Sequence, residues 1–410
     1  MEPKKLYKTV ETIASQNFPS STEMLISVIR ELIDNYSINL TGGRVWELDS
    51  DLGIYRLLFQ TGKLERIEDN FSIKISEYPI FDLISKERTV VEKETDMILR
   101  SKGIFKYSAS GVGDKIRYDG KLYYEYILAL NSNEINEEFK ITLNIIATAL
   151  TSKIKQRKYH LRARELRADI DKARELQKSI LPEHEYNFHN YELFGITDPA
   201  EIVGGDFFDY LDVGGDSQRL GVTVGDAASK GVSAAAEAMY ISGALRMACN
   251  FEIKIYPLMK RMNQLVNKIF ADDKFASLFY GELSNDKSGL FLYANAGHNP
   301  PLFVRKDSDQ ISLLNSTGPV LGPAPLAVYT VENINFAIGD VLVIFSDGVT
   351  ESANSEFEQY GDERLKKMLI KVKEKSPKEI TYTLLEDVIK FSKNGQYSDD
   401  KTLVVIKRIK

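Results

Sequence analysis

Four short acidic motifs in the second half of the chain carry residue types able to do chemistry together. They are Val203 to Asp209 (Val-Gly-Gly-Asp-Phe-Phe-Asp), Gly225-Asp226, Ser346-Asp347-Gly348 and Ser398-Asp399-Asp400. A single aspartate in such a setting is ordinarily a turn or helix-cap residue, because its side chain bonds its own backbone. Four of them, each beside an apolar β-rich run, point instead to one carboxylate cluster. Carboxylate oxygens are preferred ligands of hard cations such as Mg²⁺ and Mn²⁺, and aspartate is short enough to be aimed rigidly from a strand end. Two such ions about 3.5–4 Å apart can bind one phosphoryl group and lower the pKa of a shared water for in-line attack. That chemistry needs no side-chain nucleophile. The lone Cys249 sits in an apolar helical context, and His160, His184, His189 and His298 lack zinc-ligand spacing, which argues against a thiol or zinc hydrolase.

The elements that must position these aspartates are legible around them. Leu220 to Val224 reads as a strand, with Asp226 at its carboxyl end and an Ala-rich helix beginning near Val232. Val341 to Phe345 is five apolar residues, too short for an independent helix, and delivers Asp347 to a turn in which Gly348 is expected to supply positive φ. Gly204 and Gly205 let the chain turn before Asp206, and the last strand, Thr402 to Ile406, follows Asp399 and Asp400 directly. Asn295 to Pro300 reads as a tight hairpin turned by Gly297 and Asn299, with His298 a lesser candidate for catalytic work. Further strands are expected at Tyr191–Thr197, Phe207–Val213, Phe275–Leu283, Leu290–Ala294 and Leu302–Val304, and helices at Val232–Cys249, Ile255–Phe270 and twice between Tyr360 and Phe391. Hairpin-linked strands with helix pairs predict a two-sheet sandwich flanked by helices.

From about Glu175 to the C-terminus the chain resembles the PPM-type (protein phosphatase 2C-like) serine/threonine phosphatases of the bacterial SpoIIE and RsbU-like branch. The resemblance rests on seven pieces in the family's order: Leu176–Pro182, Val203–Asp209, Gly225-Asp226 through Gly231-Val232, Asn295–Pro300, Gly318–Gly322, Ser346–Glu351 and Asp399–Thr402. It implies an α-β-β-α sandwich holding two Mn²⁺ or Mg²⁺ ions per catalytic domain. Asp226 would bridge the two, Asp206 would hold the second, and Asp347 with Asp399 the first; the Ala227 carbonyl would be a further ligand. Asp209 and Asp400 rank below these, as residues that orient ligands or hold an accessory ion. The implied reaction is hydrolysis of phosphoserine or phosphothreonine on a protein, with a STAS-type anti-sigma-factor antagonist as the substrate class. Ala227-Ala228-Ser229 stands where the family usually has Val-Ser-Gly, and Ser233 where proline is common. These small-for-small changes bear on loop geometry more than on ligation. A catalytically silent scaffold with the same fold is the alternative; a nucleotide cyclase would leave Asn295–Pro300 and Asp399-Asp400 without a role.

The 410 residues predict an α+β chain of several domains: an N-terminal segment (1–21), a sensory unit (22–150), a helical connector (151–186) and the catalytic domain (187–410). In the sensory unit a helix from Met24 to Tyr36 precedes short strands at Gly43–Leu48, Tyr55–Gln60, Ser72–Ile75 and Tyr123–Leu130, and Phe139–Leu150 closes it. That layout resembles a GAF domain, with PAS the runner-up, and the unit would receive a small-molecule ligand or a protein activator. Phe105, Tyr107, Tyr118, Tyr123, Tyr124 and Tyr126 are candidate pocket residues.

Thr151 to Leu181 is free of glycine and proline and reads as one long helix. Leu166, Ile170, Ala173, Gln177 and Ile180 repeat as the stripe of a two-stranded seam, which predicts a homodimer and a route for a signal into the catalytic domain. Ten Lys/Arg against four Asp/Glu from Ser152 to Lys178 read as a solvated helical face. A net charge of −6 gives no footprint for nucleic acid. No apolar stretch approaches the roughly 18 residues a membrane span needs, and a single cysteine suits a reducing compartment; the expected location is the cytoplasm.

Overall fold

In the computed structural model, which describes residues 16, 18–34, 40–63, 65–102, 104–132, 136–270, 274–395 and 399–410, the chain divides into two units, Met1–Glu165 and Leu166–Lys410. The ends of two expected features, Tyr36 and Ser398, and most of segment 1–21 lie outside the described residues.

The first unit is built on a six-stranded antiparallel sheet of order β3-β2-β1-β6-β5-β4, formed by β1 (Leu40–Asp49), β2 (Ile54–Gly62), β3 (Ser72–Lys74), β4 (Thr89–Lys93), β5 (Lys106–Tyr118) and β6 (Lys121–Ser132). Alternation along β1 decides which core each residue joins. Val45 faces the helix Ser21–Asp34 and the start of the helix Glu137–Ile180, whereas Trp46 and Leu48 face the side that carries the short helices Ile80–Glu87 and Met97–Ser101. The thirteen-residue β5 was not among the expected strands. Its Ser108, Ser110, Gly111 and Gly113 break the apolar pattern, yet both serines are fully buried, Ser110 Oγ lying 2.7 Å from Thr89 Oγ1 and Ser108 Oγ donating to the Leu130 carbonyl at 3.1 Å. The expected closing helix and connector run on as one 44-residue helix, Glu137–Ile180.

The second unit stacks two antiparallel sheets between two helix pairs. One sheet has the order β15-β12-β11-β10-β9, from β9 (Asp206–Asp212), β10 (Arg219–Ala227), β11 (Ala276–Ser284), β12 (Leu290–Ala296) and β15 (Glu332–Asn335). The other, β14-β13-β16-β17-β8-β7, joins β7 (Glu185–Phe188), β8 (Tyr191–Asp198), β13 (Leu302–Val304), β14 (Ile311–Leu313), β16 (Val341–Phe345) and β17 (Lys401–Arg408). The continuous apolar runs of β16 and β17 follow from burial on both faces: Leu342, Ile344, Val404 and Ile406 pack between the sheets, while Val341, Val343, Leu403 and Val405 pack under the helices Asp362–Val372 and Pro377–Ser392. The latter helix starts on a capping box, Ser376 with Glu379, and Pro377 in its first turn. Gly231–Cys249 and Ile255–Ile269 cover the other sheet through residues such as Ile241, Leu245, Met259 and Val266. The expected sandwich flanked by helices is therefore present.

Two local expectations are corrected. Asn295 to Pro300 is no hairpin, because β12 and β13 belong to different sheets and the segment crosses between them; Gly297 does take positive φ, at 68°. Gly348 is absent from the positive-φ positions and lies in the short helix Asp347–Glu351. It must be glycine because a Cβ there would collide with the Asp400 carbonyl. Among the described residues no helix is long and apolar enough to cross a membrane.

Candidate active site

Strand register brings the first two aspartates together. Asp206 opens β9 and lies directly opposite Asp226 near the end of β10, with Ser277 of β11 on Asp226's other side. Asp347 enters from the other sheet at the start of its short helix, immediately after β16, and Asp399 lies just before β17. These four expected residues meet at one end of the sandwich, as their electrostatics record. Burial, then the charges of Asp347, Asp399 and Asp400, push the Asp226 carboxyl up to about 7. Burial and Asp226 raise Asp206 well above the usual carboxylate range, and burial and Asp399 raise Asp347.

Asp400 has a different task. Its Oδ2 accepts from the backbone N–H of Gly205 at 2.6 Å and its Oδ1 from that of Ala200 at 2.9 Å. It fixes the turn that aims Asp206, and a Cβ on Gly204 would collide with this carboxylate. The glycine pair serves close approach. Ala227 N–H donates to the Gly205 carbonyl at 3.3 Å, so the Ala227 peptide is tied to the same turn.

Asp209 is likewise a supporting residue. It is buried in β9 and paired with Arg246 of the helix Gly231–Cys249, Nε to Oδ2 at 2.5 Å and Nη2 to Oδ1 at 3.1 Å. Arg246 Nη2 also donates to the Ile180 carbonyl at 2.5 Å, where the long helix ends. Gln177, one turn earlier, is buried; its Nε2 donates to the Gly204 carbonyl at 2.7 Å and its Oε1 accepts from Gly204 N–H at 3.2 Å. Gln177 thus grips the turn before Asp206 rather than occupying an open seam position. Arg246 escaped sequence reading because its partners lie 37 and 66 residues away. Arg246→Met would leave the Asp209 carboxylate buried without its partner, and chemical denaturation should show a loss of roughly 1–2 kcal/mol.

His298 lies apart from the carboxylates but touches their support. Asn295 holds it from both sides, accepting from His298 N–H at 2.8 Å and donating to its carbonyl at 3.0 Å, and His298 Nδ1 lies 2.8 Å from Ser277 Oγ. Burial lowers the imidazole to about 4, and Nε2 has no hydrogen-bond partner. Between its unfolded value near 6.5 and about 4 the unfolded chain takes up a proton that the folded one does not. Acidification through that window should therefore erode stability, by at most about 1.4 kcal/mol per pH unit from this group. Unfolding free energies of wild type and His298→Gln between pH 7 and 4 should converge on acidification; parallel profiles would contradict this.

Among the described residues no group of three His, Cys, Asp or Glu side chains stands close enough to grip an ion as it is arranged. The residues nevertheless fit a hard divalent cation. Every side-chain donor is a carboxylate oxygen, burial and neighbouring carboxylates raise Asp206, Asp226 and Asp347, and Asp206 Oδ2 is buried with no hydrogen-bond partner. Lys230 Nζ lies 4.0 Å from Asp399 Oδ2. Asp206, Asp226, Asp347 and Asp399 would hold such ions, which when bound supply Lewis acidity and an activated water. Around them, Asp400 and Gln177 orient the Gly204-Gly205 turn, and Ser277 and His298 stabilise the strand beside Asp226.

Comparison with known proteins identifies this architecture. The SiaA PP2C domain of Pseudomonas aeruginosa superposes with a TM-score of 0.51 at 18% identity, covering 60% of this chain and 98% of that one, so the second unit has a PP2C-type fold. Residues 216–409 match the family Stage II sporulation protein E (SpoIIE). Protein IcfG of Synechocystis sp. is 27% identical over 271 residues, 59% of this chain and 42% of its own length. Phosphoserine phosphatase RsbU of Bacillus subtilis is 26% identical over 245 residues, 60% of this chain and 71% of its own length. The chain thus spans less than half of the first of these relatives.

Proposed function

We propose that this chain is a metal-dependent phosphoprotein phosphatase that hydrolyses phosphoserine or phosphothreonine, with two Mn²⁺ or Mg²⁺ ions held by Asp206, Asp226, Asp347, Asp399 and the Ala227 carbonyl. The observation that carries the reading is the convergence of carboxylates from both sheets on Asp226, with Asp206 directly opposite it. A phosphoserine phosphatase among the relatives supports the reaction class. The substrate class that the family resemblance implies is a STAS-type antagonist, acted on in the cytoplasm.

Control would come from the first unit, read as a GAF-like sensory module that takes a small molecule or a protein activator. The helix Glu137–Ile180 begins in one unit and ends in the other, and its Gln177 and Ile180 touch the Gly204 turn and Arg246. A change in that helix would therefore move the turn that aims Asp206. Leu166 and Leu176 are exposed along it, which supports pairing with a second copy as a homodimer.

The test is release of phosphate from a phosphoserine-bearing STAS protein by the full chain with and without Mn²⁺. Metal-dependent release supports the enzyme; no release, together with no Mn²⁺ binding by calorimetry, would favour a silent scaffold. Gln177→Ala should lower the rate several-fold while the circular dichroism spectrum is retained, and an unchanged rate would remove the helix from the control route.

A further inference from the structure

The sheet face of the first unit that carries Trp46 lines a half-open cavity of about 40 Å³. A single enclosed water needs roughly 10–15 Å³, so a molecule of a few heavy atoms fits. Trp46, Phe81, Ile104 and Ile127 supply apolar wall, and of the six aromatic residues expected to line a pocket only Tyr107 does so. Phe105 is exposed, and Tyr126 packs on the opposite face.

Into this apolar wall β1 sends an arginine. Arg44 is 5% exposed, flanked in the strand by Val45 and Gly43, and its Nη1 donates to Asn131 Oδ1 at 2.7 Å. Asn131 cannot be turned round to improve this, since its Nδ2 donates to the Lys106 carbonyl at 3.1 Å. Arg44 Nε is buried and has no hydrogen-bond partner. A guanidinium carries five donors and stays charged; burial lowers Arg44 only to about 10. Glu94, the other charged residue on the cavity, favours Arg44's charged form through its field but makes no hydrogen bond to it, its Oε1 accepting from Tyr78 Oη and from the backbone N–H groups of Thr95 and Asp96. A buried guanidinium with a donor left unpartnered is costly unless an acceptor in the cavity completes it.

We propose that this cavity binds a short-chain monocarboxylate, its head group on Arg44 and its alkyl tail against the Trp46 side of the cavity. A carboxylate matches the planar donor fork of arginine, and the small volume sets the tail length. As an input signal the ligand rests on the sensory reading above, whereas binding itself depends only on the cavity.

Trp46 is the chain's one tryptophan and lines the site, so its fluorescence reports occupancy directly. Acetate, propionate and butyrate, titrated into the full chain, should change that fluorescence saturably, with propionamide and butyramide roughly ten- to hundredfold weaker for want of the charge. Arg44→Met should abolish the response. Ala129→Leu, which fills the cavity while Arg44 remains, should abolish it as well and serves should Arg44→Met fail to fold. No saturable response to any of the three acids, amides equal to acids, or full binding by a folded Arg44→Met or Ala129→Leu would overturn the proposal. A chain that binds carboxylate through Arg44 but releases no phosphate would overturn the catalytic reading alone.

Discussion

Asp226→Asn should abolish Mn²⁺-dependent hydrolysis of p-nitrophenyl phosphate, a loss of about a thousandfold or more, and at the same time make the metal-free protein more stable. Both halves follow from one observation. Asp226 lies beside Asp206 and within the field of Asp347, Asp399 and Asp400, and burial and these charges push it up to about 7. At pH 8 it is therefore charged in a place that disfavours charge. Asparagine keeps the shape and removes the repulsion, with an expected gain on the order of 2 kcal/mol in metal-free urea unfolding. The same change removes a carboxylate that would hold the metal, so Mn²⁺ binding by calorimetry should weaken in step with activity. A variant that is less stable without metal, or that hydrolyses at the wild-type rate, would show that Asp226 is a structural turn residue.

The opposition of gain and loss separates ligation from folding, which the sequence alone could not do. The aspartates were legible because each follows or precedes an apolar run whose β-branched residues specify a strand, as Val341–Phe345 does for Asp347. Their supporting residues were not. Asp400 reads as one more acid beside Asp399, and only the fold shows its oxygens turned to the Gly205 and Ala200 amides. Gln177 reads as a flaw in an apolar stripe, yet the stripe ends where the second unit begins to bury that helix. In the first unit, β5 was hidden because its buried Ser108 and Ser110 satisfy their hydroxyls within the sheet, a pairing local pattern cannot reveal. Arg44 lies in a strand that was expected, but a charged residue in an alternating run reads as solvent-facing until the second layer over that face is known.

The glycines supply the second large effect. Gly348→Ala should destabilise the second unit by about 3 kcal/mol or more and should cost most of the activity as well. Positive φ is not the reason, since Gly348 lies in the helix Asp347–Glu351. The added methyl would collide with the Asp400 carbonyl oxygen and stand 2.9 Å from its carbon. Neither neighbour is free to give way. Ser346 Oγ donates to that same Asp400 carbonyl at 3.1 Å and accepts from Thr402 N–H at 2.9 Å, while the Asp400 carboxylate holds the Gly205 turn. Relief must come from separating the segment that carries Asp347 from the one that carries Asp399, which spreads two of the four carboxylates. Calorimetric melting should thus show the transition of the second unit lowered, with Trp46 fluorescence, which reports the first unit, melting as in wild type. Retained activity with a lowered transition would mean that the two aspartates need not approach as closely as their shared field implies.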